Sequence, residues 1–312
     1  MGEGNNLVST SDGAYWSSSF NTVNFYPQRA WYLHLLDIGV SSSHNGRYYG
    51  CSVRPVKEKP LPEGALRGLF SVSATEQVHF SKGNLYCSDK GSGSSPRYEF
   101  KFESKQYDFR LRNSAGNYSM KDGNSYTVPA NESGMFQWNK GNAVNGSDYG
   151  AFSSGSPTGD PSDHVDWGEV ISNDGTWFTL NKDQWTYLVE RKSSTGKPLV
   201  SWAVVGGIKE LLLAPDYYSG FGSDYFEWTL SQWLSYESDG FMFLPACGFL
   251  SMSTGGEHQS PNDSFYMTFD AEDSQDTLIL CASYSIDSEF QPGVWNAGRS
   301  AAHPVRLVTV GE

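Results

Sequence analysis

Residues 68–87, GLFSVSATEQVHFSKGNLYC, alternate apolar and polar side chains, and this stretch decides the fold class that we predict. The alternation is clearest from Phe70 to Phe80 and is typical of a strand pair with one buried face. Two stretches that follow, RYEFKFES at 97–104 and QYDFRLR at 106–112, alternate in the same way. The sequence therefore predicts short antiparallel strands joined by polar turns.

Two stretches carry the signals of a helix start. In NKDQWTYLVERK, Asn181 can cap a helix and Gln184 follows three residues later; in TLSQWLSYESDG, Thr229 and Gln232 have the same spacing. This spacing is typical of a capping box, in which side chains and backbone amides at the helix start satisfy one another. We expect the apolar faces of the two helices to be Trp185, Leu188 and Val189, and Leu230, Trp233 and Leu234.

The order of these elements predicts the fold class. Between the helices, IKELLLAPDYY (208–218) is expected to be a buried strand, and FMFLPACGF (241–249) is expected to be a second one, broken by its proline. Residues 139–165 are rich in Gly, Ser, Asn and Asp and are expected to form a long surface loop. Strands, helix, strand, helix and strands in this order indicate an α+β fold, not alternating βαβ units.

One short pattern occurs twice in the chain. GRYYGCSVRPV (46–56) and GRSAAHPVRLV (298–308) match without a gap, and a constant spacing of 252 residues separates the matching positions. The identical pairs are Gly46 and Gly298, Arg47 and Arg299, Val53 and Val305, Arg54 and Arg306, and Val56 and Val308. This match suggests that the chain carries the end of one kind of module twice.

The segment around the first copy predicts short strands followed by a boundary. AWYLHLL (30–36) is a plausible strand, and the Asn-Gly pair at 45–46 is a strong hairpin signal. The next stretch, KEKPLPEG (57–64), is charged and contains two prolines, which favour extended, unpaired backbone. We therefore expect a linker here.

Composition excludes some classes of partner. The formal net charge is −13 and the pI is about 4.9, so a phosphate backbone would be repelled and nucleic-acid binding is not expected. The sequence has no apolar run long enough for a transmembrane helix and no signal peptide at its start. Aromatic residues make up 15% of the chain and lie among Ser, Gly and Asn, a mixture used both by recognition surfaces and by antiparallel β proteins.

The sequence carries few patterns that are typical of catalytic or metal-binding sites. The four cysteines form no C-x-x-C pair, and we expect free thiols or one incidental disulfide. The sequence has no nucleophile elbow, zinc-protease motif or phosphate loop. His164 with Asp166 is the nearest approach to a metal pair, and DAEDSQD (270–276) is the nearest to a cation loop, but a loop histidine and a solvated acidic turn are the simpler interpretations. We expect no enzyme activity, no metal and no cofactor.

Several stretches of the chain together resemble a known family. GAYWSSS, AWYLHL and GRYYGCSVRPV near the start, and GLFSVSATEQVHFSKGNL, VDWGEVISNDGTWFTLNKDQWTYLVERK, LLLAPDYY, FMFLPACGF and PVRLV later, resemble the Fibrobacter-type major paralogous domain of Bacteroidetes surface proteins. The resemblance implies a C-type-lectin-like, formylglycine-generating-enzyme-like module, with twisted antiparallel sheets, two helices and paired chain ends. One departure is that the second copy has GGEHQSPNDSFYM where the first has YWSS.

The resemblance implies a domain organisation. Residues 1–56 would be the C-terminal part of an incomplete first module, 57–65 a linker, and 66–312 a complete module preceded by this partial copy. We expect from this that the chain is truncated at its start and that the protein is exported to the extracellular or outer-membrane surface. The alternative is that the fragment docks on the second module and completes a sheet.

The family is also related to diversity-generating-retroelement variable proteins, whose ligand surface lies in the closing section. Carried over to this chain, the implied ligand-binding residues are Phe25, Tyr26, Trp31, His34, His44 and Tyr48 in the first copy, and Tyr284, Phe290, Trp295, Asn296 and Arg299 in the second. The interpretation is a non-catalytic, adhesin-like module at the cell surface that recognises a glycan or a protein. One alternative is an assembly module of a surface fibre, with self-association through the incomplete first module. Another is a formylglycine-generating-enzyme-like enzyme that uses a cleft near Cys247 or His303.

Overall fold

The computed structural model divides the chain into two compact units, Met1–Pro60 and Leu61–Glu312. The division lies within the segment 57–65 that was expected to be a linker. The structure describes residues 13–20, 29–36, 39–46, 51–54, 60–92, 97–111, 119–138, 166–171, 176–223, 225–251, 256–258, 263–273, 276–283 and 292–311. The predicted loop at 139–165 lies outside these residues.

The first unit contains a three-stranded antiparallel sheet. Its strands are β1 (Gly13–Phe20), β2 (Arg29–Leu36) and β3 (Gly39–Gly46), in the order β1-β2-β3. The strand expected at 30–36 is therefore present. The hairpin expected at 45–46 is wrong: Asn45 and Gly46 pair with Ala30 and Arg29 inside the ladder, and the turn between β2 and β3 falls after Leu36.

The second unit contains nineteen described strands and two α-helices. The strands are β4 (Phe70–Ser71), β5 (Gln77–Phe80), β6 (Leu85–Asp89), β7 (Tyr98–Phe102), β8 (Ser119–Lys121), β9 (Asn124–Tyr126), β10 (Glu132–Ser133), β11 (Phe136–Gln137), β12 (Val200–Val205), β13 (Ile208–Leu213), β14 (Tyr225–Trp228), β15 (Met242–Pro245), β16 (Phe249–Ser251), β17 (Gly256–His258), β18 (Asp263–Ala271), β19 (Asp276–Ser283), β20 (Gly293–Gly298), β21 (Ala301–His303) and β22 (Val308–Val310). The helices are α1 (Lys182–Glu190) and α2 (Leu230–Ser238), and Trp167–Val170 form a short 3₁₀ helix.

The α+β class predicted from the sequence is wrong, because the fold is mostly β. Strands account for 49% of the described residues and helix for 11%, so the two helices are minor elements among seven small sheets. The C-type-lectin-like arrangement with twisted sheets and two helices is accordingly not clearly supported. Each α-helix spans only nine residues, because α1 ends where Arg191 turns extended and α2 ends before Gly240, whose φ is +84°.

The sheets of the second unit are short and mostly antiparallel. Their strand orders are β22-β5-β4, β10-β6-β7, β8-β9, β11-β21-β16-β17, β14-β12-β13-β15 and β18-β19-β20. The β12–β14 pair is parallel, and the intervening β13 returns antiparallel to β12. The strands expected at 208–218 and 241–249 are therefore β13 and β15, adjacent in one sheet.

Both helix starts are capping boxes, as the sequence predicts. Asn181 accepts a hydrogen bond from the Gln184 amide at 2.8 Å, and the Gln184 side chain accepts one from the Asn181 amide at 3.0 Å. Thr229 and Gln232 make the same exchange. The helices bury Trp185, Leu188 and Trp233, whereas the expectation that Leu234 faces the core is wrong, because this side chain is 48% exposed.

The alternating stretch at 106–112 is not a strand pair with one buried face. The described residues from 106 to 111 are buried on every side. Arg110 forms ion pairs with Glu103 and Glu132, and Asp108 accepts hydrogen bonds from the Asp122 and Gly123 amides. The charged positions that made the segment look half-exposed are therefore paired inside the unit, as buried charges must be.

The N-terminal and C-terminal parts of the second unit pair with each other. In the β5–β22 ladder, Phe80 lies opposite Val308 and Val78 opposite Val310. Val308 also exchanges two backbone hydrogen bonds of 2.9 Å with Phe178. The last strand is thus held between two segments of the unit, and its Val308 is fully buried.

The closing strands of the second unit repeat the topology of the first unit. The sheets β1-β2-β3 and β18-β19-β20 are both antiparallel meanders of consecutive strands. In each, the ladder between the first two strands is interrupted at the same place, between Trp16 and Phe20 and between Met267 and Ala271. Each of these pairs spans four positions along its strand.

The segment after each meander returns beside its first strand. The Trp16 amide donates to the Ser52 carbonyl at 3.1 Å, and the Met267 amide donates to the Pro304 carbonyl at 3.1 Å. Ser52 and Pro304 are separated by the same 252 residues as the sequence repeat. The ladders then set the equivalent positions: Tyr15 and Tyr266, Leu33 and Leu280, Leu35 and Ala282, and Arg54 and Arg306.

His303 lies in the core of the second unit, in β21. It is 1% exposed and stacks on Phe249, with ring centroids 5.6 Å apart. Burial lowers the pKa of His303 to about 4. The folded state therefore holds a neutral imidazole under conditions in which an exposed histidine takes up a proton.

We expect Asn181→Ala to lower the free energy of unfolding by about 1 kcal/mol, because the Gln184 amide loses its acceptor. Urea denaturation measures this change. Asn181→Asp keeps a capping oxygen and is the matched control, expected to stay within about 0.5 kcal/mol of wild type. Equal losses in both variants would contradict the role assigned to the cap.

We also expect the second unit to lose stability as the pH falls from about 6.5 to about 4. In this range the unfolded chain protonates His303 and the folded chain does not, so unfolding becomes easier by about 3 kcal/mol. In His303→Gln this part of the pH dependence should disappear. Denaturant titrations at pH 8, 6.5, 5 and 4 measure it, with pH 8 giving the cost of the substitution itself. Parallel curves for the two proteins would refute the assignment.

Candidate functional site

A groove of about 400 Å³ lies on the sheet of the first unit. Leu33 and Leu35 project into it from β2 and are 43% and 36% exposed. This volume falls in the range of sites that take small ligands, which are mostly lined by apolar and aromatic side chains with a few polar groups. The residues that line the groove are Tyr15, Trp16, Ser17, Leu33, Leu35 and Arg54.

The strand register explains why these side chains meet. Tyr15 lies opposite Leu33 in the β1–β2 ladder, and Leu35 is two residues further along β2, so all three share one face of the sheet. Val40 lies opposite Leu35 on β3 and is 69% exposed. This face is therefore apolar and open to solvent.

Aromatic rings occupy the opposite register positions. Trp16 meets Tyr32 edge-on with ring centroids 6.0 Å apart, and Tyr32 lies 5.6 Å from the ring of His34. Such contacts hold the rings in fixed orientations. All three side chains are half-buried. The register therefore places these rings on the face opposite the leucines, and of the three only Trp16 also lines the groove.

Arg54 supplies the charged group of the groove. The segment 51–54 runs beside β1, where the Ser52 amide donates to the Ala14 carbonyl at 3.0 Å. This pairing places the exposed Arg54 guanidinium at the β1 side of the leucines. A guanidinium presents several donors in a fixed plane and also stacks on flat groups, so it can orient a polar part of a ligand.

The structure places the predicted ligand-binding residues in different environments. Trp31 lies on the leucine face by strand alternation and is half-buried, while His34 lies on the opposite face. Trp295 is 55% exposed on β20 and Asn296 beside it is exposed. His44 belongs to the β3 ladder. The remaining predictions, Phe25, Tyr26, Tyr48, Tyr284 and Phe290, lie outside the described residues.

Arg299 is not a surface residue. It is 2% exposed, and its guanidinium lies 4.6 Å from the ring centre of Trp138. A cation over an aromatic face inside the unit stabilises packing, so Arg299 has a structural contact in the second unit.

Sequence reasoning missed every residue that lines the groove, namely Tyr15, Trp16, Ser17, Leu33, Leu35 and Arg54. The signals were present: Leu33 and Leu35 alternate in β2, and Arg54 belongs to the repeated pattern. They were not decisive, because the same pattern in the second unit belongs to the core. Only the strand pairing shows that this face is exposed in the first unit.

The residues on which the enzyme alternative depended are inaccessible. Cys247 and His303 are both buried, at 0% and 1% exposure. Burial raises the pKa of the Cys247 thiol to about 12, so the reactive thiolate is suppressed. The four cysteines are all free thiols, but the expectation of buried free thiols is confirmed only for Cys87 and Cys247, because Cys51 and Cys281 are partly exposed.

The candidate metal ligands have structural roles. Asp166 caps the 3₁₀ helix, accepting from the amides of Gly168 at 2.6 Å and Thr179 at 2.9 Å, whereas His164 lies outside the described residues. Asp270 accepts from the Lys182 amide at the start of α1, and Asp273 accepts from the Asp276 amide at 2.9 Å. In the described part of the chain, no cluster of three or more His, Cys, Asp or Glu side chains is placed to hold a metal.

None of the helices that the structure describes combines the length and the apolar character needed to cross a membrane. Comparison with protein-family models, with curated proteins and with solved structures found no match to this chain.

Proposed function

We propose that this chain is a non-catalytic, adhesin-like binding module of a cell-surface protein, and that it holds a glycan or a protein ligand on the leucine face of its first unit. The observation that carries the proposal is the groove of about 400 Å³ between Tyr15, the two leucines and Arg54. It offers apolar contact area, aromatic rings and one oriented charge.

Two further observations support a binding role. Trp295 and Asn296 are exposed on β20, which is an edge strand of its sheet, so an aromatic ring and an amide are open to solvent on its two faces. Exposed tryptophan is enriched in binding surfaces because a large rigid ring loses little entropy on contact. The resemblance to surface proteins favours an extracellular setting and remains part of the proposal.

The proposal expects that folded wild-type protein binds at least one ligand on glycan and protein arrays. The double variant Leu33→Asp, Leu35→Asp should bind that ligand at least about tenfold more weakly, because two charges would be desolvated in the groove. Val310→Asp, at a 65% exposed valine of the second unit, is the matched control and should bind like wild type. Circular dichroism checks that all three proteins are folded. An array without any ligand, or a ligand indifferent to the leucines, argues against the proposal.

A further inference from the structure

We infer that the ligand of the leucine face is a protein segment: a half-module built like residues 61–258 of this chain and without closing strands of its own. This inference rests on the proposed function and names its partner. Tyr15, Leu33 and Leu35 have their register equivalents in Tyr266, Leu280 and Ala282, and the sequence repeat pairs Arg54 with Arg306.

Equivalent residues differ sharply in burial. Leu280, the equivalent of Leu33, is fully buried, whereas Leu33 is 43% exposed. Arg306 is also fully buried, whereas Arg54 is exposed. Tyr266 and Ala282 are likewise at 0% exposure. The leucine face of the first unit is therefore the face that, in the second unit, packs against the rest of the module.

The rest of the module covers this face with a helix and a strand. Helix α1 contacts β18, β19 and β20, and β13 contacts β19. Tyr266, Leu280 and Ala282 join the main core cluster there, together with Trp185 of α1 and Leu211 of β13. A partner for the first unit must accordingly offer an amphipathic helix and an apolar strand.

Polar contacts of the second unit define the partner further. The Tyr266 hydroxyl donates to the Pro245 carbonyl at 3.3 Å and accepts from the Asn84 side chain at 3.1 Å. Arg306 donates to the Phe243 carbonyl at 2.6 Å. Tyr15 and Arg54 carry the same two groups at the equivalent positions. A partner would match them with two backbone carbonyl groups spaced as in β15, where Phe243 and Pro245 are two residues apart.

Two positions of the leucine face differ in size between the units, because Trp31 stands where the register places Leu278, and the second of them, Leu35, predicts specificity. Leu35 stands where the second unit has Ala282, so a surface shaped for Ala282 would be overpacked by the larger side chain, which typically costs about 1–3 kcal/mol. The natural partner is therefore expected to leave more room at this position than residues 61–258 do. In this chain, Leu35→Ala should fit better than the wild-type residue.

A variant of this chain serves as the probe. The probe is the full-length double variant Leu33→Asp, Leu280→Asp. Its charge at position 280 is expected to expel the closing strands from the second unit. Its charge at position 33 prevents the probe's own first unit from taking their place. Fluorescent wild-type chain is added while the probe refolds, and sedimentation velocity detects a complex. We expect wild type and Val310→Asp to bind, Leu35→Ala to bind at least about threefold more tightly, and Leu33→Asp to bind at least about tenfold more weakly.

A chimera keeps the test decisive if the probe precipitates. In it, residues 264–306 are replaced by residues 13–54 with Leu35→Ala, and the control carries the same graft with Leu33→Asp. The first chimera should unfold cooperatively as a monomer, and the control should not fold. The inference is overturned if the wild-type chain and Leu35→Ala both fail to bind the probe and the Leu35→Ala chimera fails to fold. If the same chain still binds an array glycan through its leucines, the proposed function survives and only the protein partner is rejected.

Discussion

The second unit depends on the pairing of its last strand with one of its first. Val305, Leu307 and Val308 are fully buried, and this terminal segment bonds to β5 on one side and to Phe178 on the other. Such contacts join residues far apart in sequence. The entropy lost in closing the long loop between them must therefore be met before the contacts can stabilise the fold. The small sheets between them can complete their cores only after this closure. The packing of the second unit therefore depends on the closing part of the chain.

The same closing design has two different consequences in one chain. In the second unit its inner face fills a core, and Tyr266 and Arg306 meet carbonyl groups there. In the first unit the equivalent face is open to solvent. A three-stranded sheet with one uncovered apolar face is marginally stable alone, because burial of that face is what normally repays the ordering of the strands. Stability and the proposed binding are thus linked at Leu33 and Leu35, because the surface proposed to bind is equivalent to a surface that is core in the second unit.

Local signals were predictable from the sequence and distant ones were not. Asn181 and Thr229 gave correct helix starts because a capping box needs only four neighbouring residues. The Asn-Gly pair at 45–46 and the alternation at 106–112 were misleading, because strand pairing and buried ion pairs overrode the local preference. The predicted fold class was wrong for a related reason. Two clear helix signals do not show what fraction of the chain is helical. The groove was not predicted, because the exposure of Leu33 and Leu35 depends on which elements pack against the sheet.

The equivalence of Arg54 and Arg306 limits what the repeat alone can mean. An arginine retained at one position of both copies could be read as a shared ligand contact, yet Arg306 is fully buried and donates to a backbone carbonyl. A buried guanidinium must find acceptors, so its position is constrained by the module that surrounds it. When the same side chain occurs in a unit that leaves it exposed, its unused donors and the apolar face beside it form one complementary surface. A surface equivalent to a core face is expected to fit a core-like partner, and for this reason we propose a protein segment and not a sugar.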